Sequence, residues 1–570
     1  MNRIALWGVT CCVVALAGCA HRQPADLVLL NGKIVTLDPA RPQVSALAAR
    51  GQTLVALGDE RQVRPLIGKA TRVLDLRGRL ALPGFIEAHG HFLGLGELRL
   101  GLDLSGARSW KEVVALVAAR ARAARPGAWV VGRGWHQEKW RAPPRPAVDG
   151  LPLHAELSRA APENPVLLTH ASGHSAMVNA RALALAGITG ETPDPEGGQI
   201  LRDAGGHPTG LLRETAMAPV RAALARHLRQ RTVAQVEARR RRAAALATRE
   251  CLHKGVTSFQ DAGATLEEVD LFRKLADEGK LGIRLWVMLI DDNRRLRANL
   301  ARYRVVGHGG QRLTVRAIKR LIDGALGSHG AWLLAPYSDL PQSTGLNTTP
   351  VASIRETAAL ALEHDYQLCV HAIGDRGVRE VLDIYQDALS QRPGGRDRRW
   401  RVEHAQHIHP DDIPRFARLG VMASVQGVHC TSDGPWVVKR LGVRRAREGA
   451  YPWRSLLRAG ARLANGTDTP VEDVDPIAGF YALVTRRMAD GRAFFPEQRL
   501  TRQQALHAMT LGAAYAAFEE HAKGSLQPGK LADVVVLSRD ILTVPEDQIP
   551  GTRVEMTILG GEVVFQLKAK

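Results

Sequence analysis

Apolar and polar positions alternate in blocks along the middle of the chain. Short apolar runs of strand length are separated by stretches of helical period. The strand-like runs are FIEAHGH, GVTSFQDAG, IRLWVMLID, VRAIKRLID, QLCVHAIGD, WRVEHAQHI, VMASVQ and ARLANGTDTPV. Strands that alternate with helices predict an α/β fold with a parallel sheet, and eight of them predict a (β/α)8 TIM barrel. The gap between the first and second runs, residues 92–254, is too long for one crossover. It holds GAWVVGRGW and ENPVLLTHASGHSAMVN, which read as further strands. An insertion after barrel strand 1, about residues 95–245, is therefore expected over the barrel mouth, with a helical stretch near 231–253 leading back into the barrel.

The two chain ends carry a different pattern. DLVLLNGKIVTLD, SALAARGQTLVALGD and TRVLDLRGRLALPG read as short strands with turns, and so do LADVVVLSRD and VEMTILGGEVVFQ. Asn31-Gly32 is a hairpin signal between alternating runs, and Gly560-Gly561 is a second turn. The ends are expected to join in one small β-sandwich. The resulting layout is a leader at 1–18, sandwich parts at 26–82 and 525–570, and the barrel with its insertion at 83–524.

The chain has 570 residues, 45% hydrophobic and 24% charged, which is ordinary globular composition. Its formal net charge is +20, but the arginines are scattered and no nucleic-acid motif accompanies them. The densest run, Arg239 to Arg242, falls in a helical stretch and reads as a solvated face. At the N-terminus Arg3 precedes an apolar run over residues 4–18 of signal-peptide length, too short to span a bilayer as a helix. The run ends in Leu16-Ala17-Gly18-Cys19, which resembles a bacterial lipobox. That resemblance implies a lipid anchor on Cys19. With Ala20 next, it implies a periplasm-facing lipoprotein of the outer membrane. Cys11 and Cys12 would leave with the leader. Cys251, Cys369 and Cys430 are too few and too scattered for a disulfide framework.

Candidate chemistry sits where barrels keep it, at the C-terminal ends of strands. His89 and His91 close the first run, and the period of two sends both side chains to one side. Paired imidazoles at the end of a buried strand make half a metal site. His371 lies late in QLCVHAIGD, His404 late in WRVEHAQHI, and Asp468 follows ARLANGT.

With these residues the chain resembles the amidohydrolase superfamily, in the family 3 type branch that includes N-substituted formamide deformylase. LPGFIEAHGH, IKRLIDGALGS, VHAIGD, VEHAQ and GTDTPVEDVDP carry the resemblance. SGHSAMVN, GGQILRD, HPTGLLRETA and KGSLQPGKLADVVVL extend it across nearly the whole of residues 26–565. The resemblance implies two divalent metal ions. His89, His91 and Asp468 would hold the first, His371 and His404 the second, and Lys319 would bridge them as a CO2-derived carbamate. Zinc suits imidazole and carboxylate donors. The implied reaction is attack of a metal-bound hydroxide on an amide or N-formyl carbonyl, with Asp468 as general base and acid.

His174 and Tyr337 are candidates to line the substrate pocket, while Trp135 and Trp140 read as packing. Family analogy also suggests a homodimer. The chain departs from the family at Arg320, where an apolar residue is usual, at His329, where relatives often carry Arg, and at Gly427, where they often carry Pro. Arg316 and Arg320 share a parity that points both toward the helical shell. Two other functions remain open at this stage. One is a lipid-anchored binding protein that has lost catalysis. The other is an esterase, lactonase or isomerase on the same fold.

Overall fold

The computed structural model describes residues 23–229, 232–391 and 397–568, so the leader 1–18 and the lipidation position Cys19 lie outside the described residues. Eight parallel strands form the barrel, β1 (Phe85–Gly90), β2 (Val256–Ala264), β3 (Arg284–Leu289), β4 (Leu313–Leu321), β5 (Gln367–Ala372), β6 (Arg401–His404), β7 (Met422–Gln426) and β8 (Arg462–Gly466), and a short ninth strand, Val305–Gly307, pairs antiparallel with β4. Each of the eight pairs in parallel with the next in the chain. These are the eight predicted runs. Every residue of β1, β3, β5, β6 and β7 is buried. Both faces of such a sheet are covered, which is why its strands read as apolar runs and not as alternation.

The barrel is nearly closed. Across the seam between β8 and β1, Asp468 N–H donates to the His89 carbonyl at 2.7 Å and His91 N–H to the Thr469 carbonyl at 2.7 Å. Gly466 makes this approach possible, because a Cβ there would lie 2.4 Å from the His89 nitrogen. The seam thus brings the end of β8 beside the two histidines of β1.

Arg320 does face the helical shell, and its charge is met there. Its guanidinium donates to Thr357 Oγ1, the Asp291 carbonyl and Asn293 Oδ1 at 2.6–2.9 Å. Arg316 instead lies over the Phe518 ring, 3.9 Å from its centroid.

The segment after β1 leaves the barrel through the helix Phe92–Leu100 and returns through the helix Val233–His253. Between them stands a six-stranded sheet running from Leu102–Asp103 to Pro208–Glu214. It has its own core, in which Trp110, Trp135 and Trp140 pack with Val117, Leu168 and Leu211. Both tryptophans of GWHQEKW therefore pack.

At the chain ends, Val534–Leu537 pairs with Leu80–Pro83, joining the C-terminal strands to the N-terminal ones in a six-stranded sheet. A four-stranded sheet faces it across Leu29, Ile34, Leu47, Val536 and Ile558. The Asn31-Gly32 pair does not close a hairpin. Leu27–Leu30 pairs in the four-stranded sheet, whereas Lys33–Val35 pairs in the six-stranded one. Asn31, with φ +53°, turns the chain from one layer to the other. Gly560-Gly561 does close one: Leu559 faces Glu562, and both glycines have positive φ as a type I′ turn needs.

Candidate metal centre

His89, His91 and Asp468 meet at the seam, with one donor atom from each lying within 4.8 Å of the others. His91 Nε2 is 3.1 Å and His89 Nε2 3.5 Å from Asp468 Oδ1. The rings of His371 and His404 lie beside this group. Ring centroids are 4.7 Å apart for His89 and His404, and 4.4 Å for His371 and His404. Lys319 is buried at 2% exposure on β4, opposite Cys369 of β5. The candidate ligands His89, His91, His371, His404 and Asp468 are therefore close together at the barrel mouth, with Lys319 one strand from His371.

These side chains are held from behind. His89 Nδ1 is hydrogen-bonded to Glu403. Glu403 is gripped by Arg401, whose Nε lies 2.6 Å from its Oε1. Arg401 also donates to the Ala88 carbonyl, Gln260 Oε1 and Ser424 Oγ at 2.6–2.8 Å. An arginine inside the barrel thus fixes a carboxylate, and the carboxylate fixes one tautomer of His89, leaving Nε2 toward Asp468. Gln426 does the same for His404, with Oε1 2.7 Å from Nδ1. Glu87 accepts from the N–H groups of His89 and Thr467 and from Thr467 Oγ1 at 2.7–3.1 Å, tying β1 to β8. Asp323 accepts from the N–H groups of Trp332, Ile373 and Gly374 at 2.7–3.0 Å, fixing the turn after His371.

The electrostatics follow from burial and these partners. Burial, then Lys319, lowers His89 to about 4, and burial holds His371 and His404 well below the usual imidazole range. All three are neutral donors at working pH. Burial works to raise Asp468, but the hydrogen bond from His91 and the surrounding imidazoles outweigh it and hold the carboxyl well below its usual range. Burial lowers Lys319 against the pull of Glu403 and Asp468. Burial also raises Glu87 to about 8.

A cation fits this arrangement. His89 Nε2 and His371 Nε2 are buried and make no hydrogen bond, lying 3.5 Å from Asp468 Oδ1 and from Asp323 Oδ1 respectively. Buried polar atoms without partners are costly and call for an explanation. Here imidazole nitrogens of His89 and His91 meet a carboxylate oxygen of Asp468, which is the donor set of a zinc-type centre. His404 and Asp468 also adopt φ of +73° and +58°, a left-handed conformation that costs an L-residue about 1–2 kcal/mol. Such strain gathers where function fixes a side chain.

The mouth is roofed by the insertion. His136, His170 and His174 line the cavity above the site together with His404, Asp468 and barrel loops. The His174 ring lies 4.8 Å from that of His371, and its Nδ1 is 2.8 Å from Glu214 Oε2. Tyr337 does not line this cavity. It is 1% exposed, and its hydroxyl donates to the Ala331 carbonyl at 2.8 Å, so it packs. The sequence reading missed Glu403 and Gln426, although Glu403 stands inside the VEHAQ motif beside His404. It also missed His136 and His170, which reach the mouth from strands far away in the chain. Cys251, Cys369 and Cys430 are free and buried, outside the candidate centre.

The amidohydrolase family model matches residues 72–565. Protein LONG AFTER FAR-RED 3 of Arabidopsis thaliana is 34% identical over 528 residues, covering 90% of this chain and 87% of its own. N-substituted formamide deformylase of Arthrobacter pascens is 27% identical over 554 residues, covering 95% and 99%. An uncharacterized metal-dependent hydrolase from Pyrococcus horikoshii superposes with a TM-score of 0.72 at 26% identity, over 91% of this chain and 99% of that one.

Proposed function

The chain belongs to the amidohydrolase family, and from that premise we propose that it is a metal-dependent hydrolase cleaving a non-peptide carbon–nitrogen bond, an amide or N-formyl bond of a small molecule. The observation that carries this reading is the meeting of His89, His91 and Asp468 at the barrel mouth, one donor atom from each within 4.8 Å of the others, with the rings of His371 and His404 beside them. The similarity to N-substituted formamide deformylase supports the choice of bond.

His89, His91 and Asp468 would hold one divalent ion, and His371 and His404 a second, with zinc suited to this donor set. Lys319, if carboxylated, would supply oxygens to both. Bound ions would supply Lewis acidity, polarising the carbonyl and making water nucleophilic at neutral pH.

The residues of the chain do the rest. Asp468, kept ionised by its imidazole neighbours, takes a proton from the attacking water and passes it to the leaving nitrogen. The carbon–nitrogen bond breaks, and the products are an amine and a carboxylate, which is formate when the substrate is a formamide. Glu403 and Gln426 keep His89 and His404 in their donor tautomers. His174 borders the cavity, braced by Glu214, and is placed to orient the carbonyl. The complete donor set argues against a binding protein that has lost catalysis.

The test is turnover of matched N-formyl amines and esters by metal-loaded protein. Release of amine and formate, lost in Asp468→Asn, is expected. Ester cleavage with no carbon–nitrogen cleavage would overturn the choice of bond.

A further inference from the structure

The helix Gly427–Leu441 follows β7 directly and presents His429, Asp433 and Trp436 to the cavity. Their spacing of four and three residues puts them on one helical face. His429 lies beside the candidate ligand His404, ring centroids 6.1 Å apart, and Trp436 lies 6.1 Å from the His136 ring of the insertion; neither the proposed metal donors nor the proposed proton relay includes this face.

Its chemistry is one-sided. The chain carries a net charge of +20, yet the residues lining this cavity include three carboxylates, Asp433, Asp468 and Glu472, and no lysine or arginine. Of the cations near the cavity, Lys139 is held by Glu472 at 3.3 Å and Arg440 by Asp339 and by Glu138 at 3.2 Å, while Arg133 donates to the Ala171 carbonyl at 3.1 Å. With Asp468 assigned to the metal centre and Glu472 paired with Lys139, Asp433 is the lining carboxylate without an ion pair among the described residues. It is held in place on one side only. Tyr451 donates to its Oδ2 at 2.8 Å and Gln406 to the same oxygen at 3.2 Å, while Oδ1 has no partner nearer than Ser432 Oγ at 3.4 Å. Next to it His429 Nε2 is buried without a hydrogen bond, and the Trp436 indole lines the cavity with the Arg440 guanidinium already 5.7 Å from its centroid, which leaves one face for a ligand.

A fixed carboxylate beside an indole face is a recognition site for organic cations. We propose that Asp433 and Trp436 form a substrate subsite for a positively charged group, so that the preferred substrates are N-acylated diamines or related amides bearing a free ammonium or guanidinium. This deepens the hydrolase reading and rests on it for turnover, but not for binding.

Two measurements separate the subsite from that reading. The first is calorimetric binding of pentylguanidinium and of neutral 1-pentanol to metal-loaded wild type, Asp433→Asn and Glu472→Gln, each checked by melting. Pentylguanidinium should bind wild type at least about tenfold more tightly than Asp433→Asn, as expected for a lost charge-assisted hydrogen bond, with Glu472→Gln intermediate. Pentanol should not distinguish the three proteins. The second compares kcat/KM for N-formyl-1,5-diaminopentane and N-formylpentylamine. Wild type should favour the cationic substrate, and Asp433→Asn should lower that ratio by about tenfold. Should Asp433→Asn fail to fold, the wild-type preference and Glu472→Gln carry the test. Cation-selective binding with no turnover of either formamide would leave the subsite standing and sink the hydrolase reading. Equal binding of the charged and neutral probes, or a turnover ratio unchanged in the variants, would overturn the subsite.

Discussion

At the floor of the barrel Arg284, at the start of β3, donates to both oxygens of Asp533 at 2.7 and 2.9 Å, and Lys523 meets Ser258 at 2.5 Å and Glu519 at 2.6 Å. At the mouth His89 Nε2, His371 Nε2 and His429 Nε2 make no hydrogen bond. Both regions bury ionisable groups in one strand framework. The floor pairs Arg284 with Asp533 and Lys523 with Glu519 and so joins the barrel to the sandwich. The mouth leaves them open and so has something to offer a metal and a substrate. Stability and chemistry are separated along the barrel axis, as is usual for this architecture.

The comparison breaks most visibly at Asp468. Asp468→Asn should cut hydrolysis by roughly 10²–10⁴-fold, while the metal-stripped protein melts no lower than stripped wild type. A large loss of stability would mean that Asp468 is a floor-type structural group. Arg284→Ala should do the opposite. Leaving Asp533 charged and alone should cost about 3–5 kcal/mol in urea unfolding, with the turnover of the folded fraction preserved. A third variant, Glu403→Gln, sharpens the contrast, because Glu403 touches a metal donor from inside the barrel. Metal affinity, measured by competition with a chelator, should fall about 10–100-fold.

The smallest effect is in pH. Burial raises the Asp533 carboxyl, but Arg284 more than compensates, so the net shift is downward. A depressed carboxylate contributes stability that is fully present above its unfolded value, about 3.9, and is lost as pH falls through the lower folded value. Stability should therefore fall below about pH 4, and Asp533→Asn should flatten that limb. An unchanged slope would remove Asp533 from the account.

The eight strands and the meeting of His89, His91 and Asp468 were legible in the sequence for one reason. Barrel strands are short, buried and aligned, so a polar residue at the end of an apolar run has one place to be. Partners supplied from elsewhere in the chain were not legible. Glu403 faces His89 across 314 positions of sequence, and no local pattern carries that. The face made by His429, Asp433 and Trp436 is hidden because Gly434 and Pro435 interrupt an otherwise helical run. Asn31-Gly32 and Gly560-Gly561 look alike as dipeptides and differ in which strands flank them, a tertiary fact. Tyr337 was misread for the same reason, since its hydroxyl is taken by a carbonyl within its own loop. The Gly427 departure does have a local cause: a Cβ there would lie 2.9 Å from Leu483 and 3.0 Å from the Gly479 carbonyl.

The most direct test of the open mouth is metal content per chain, on protein loaded with zinc and dialysed, for wild type and for the double variant His89→Ala/His371→Ala. The account predicts about two divalent ions per wild-type chain and one or none in the variant. Metal-free wild type, or equal occupancy in both proteins, would contradict it.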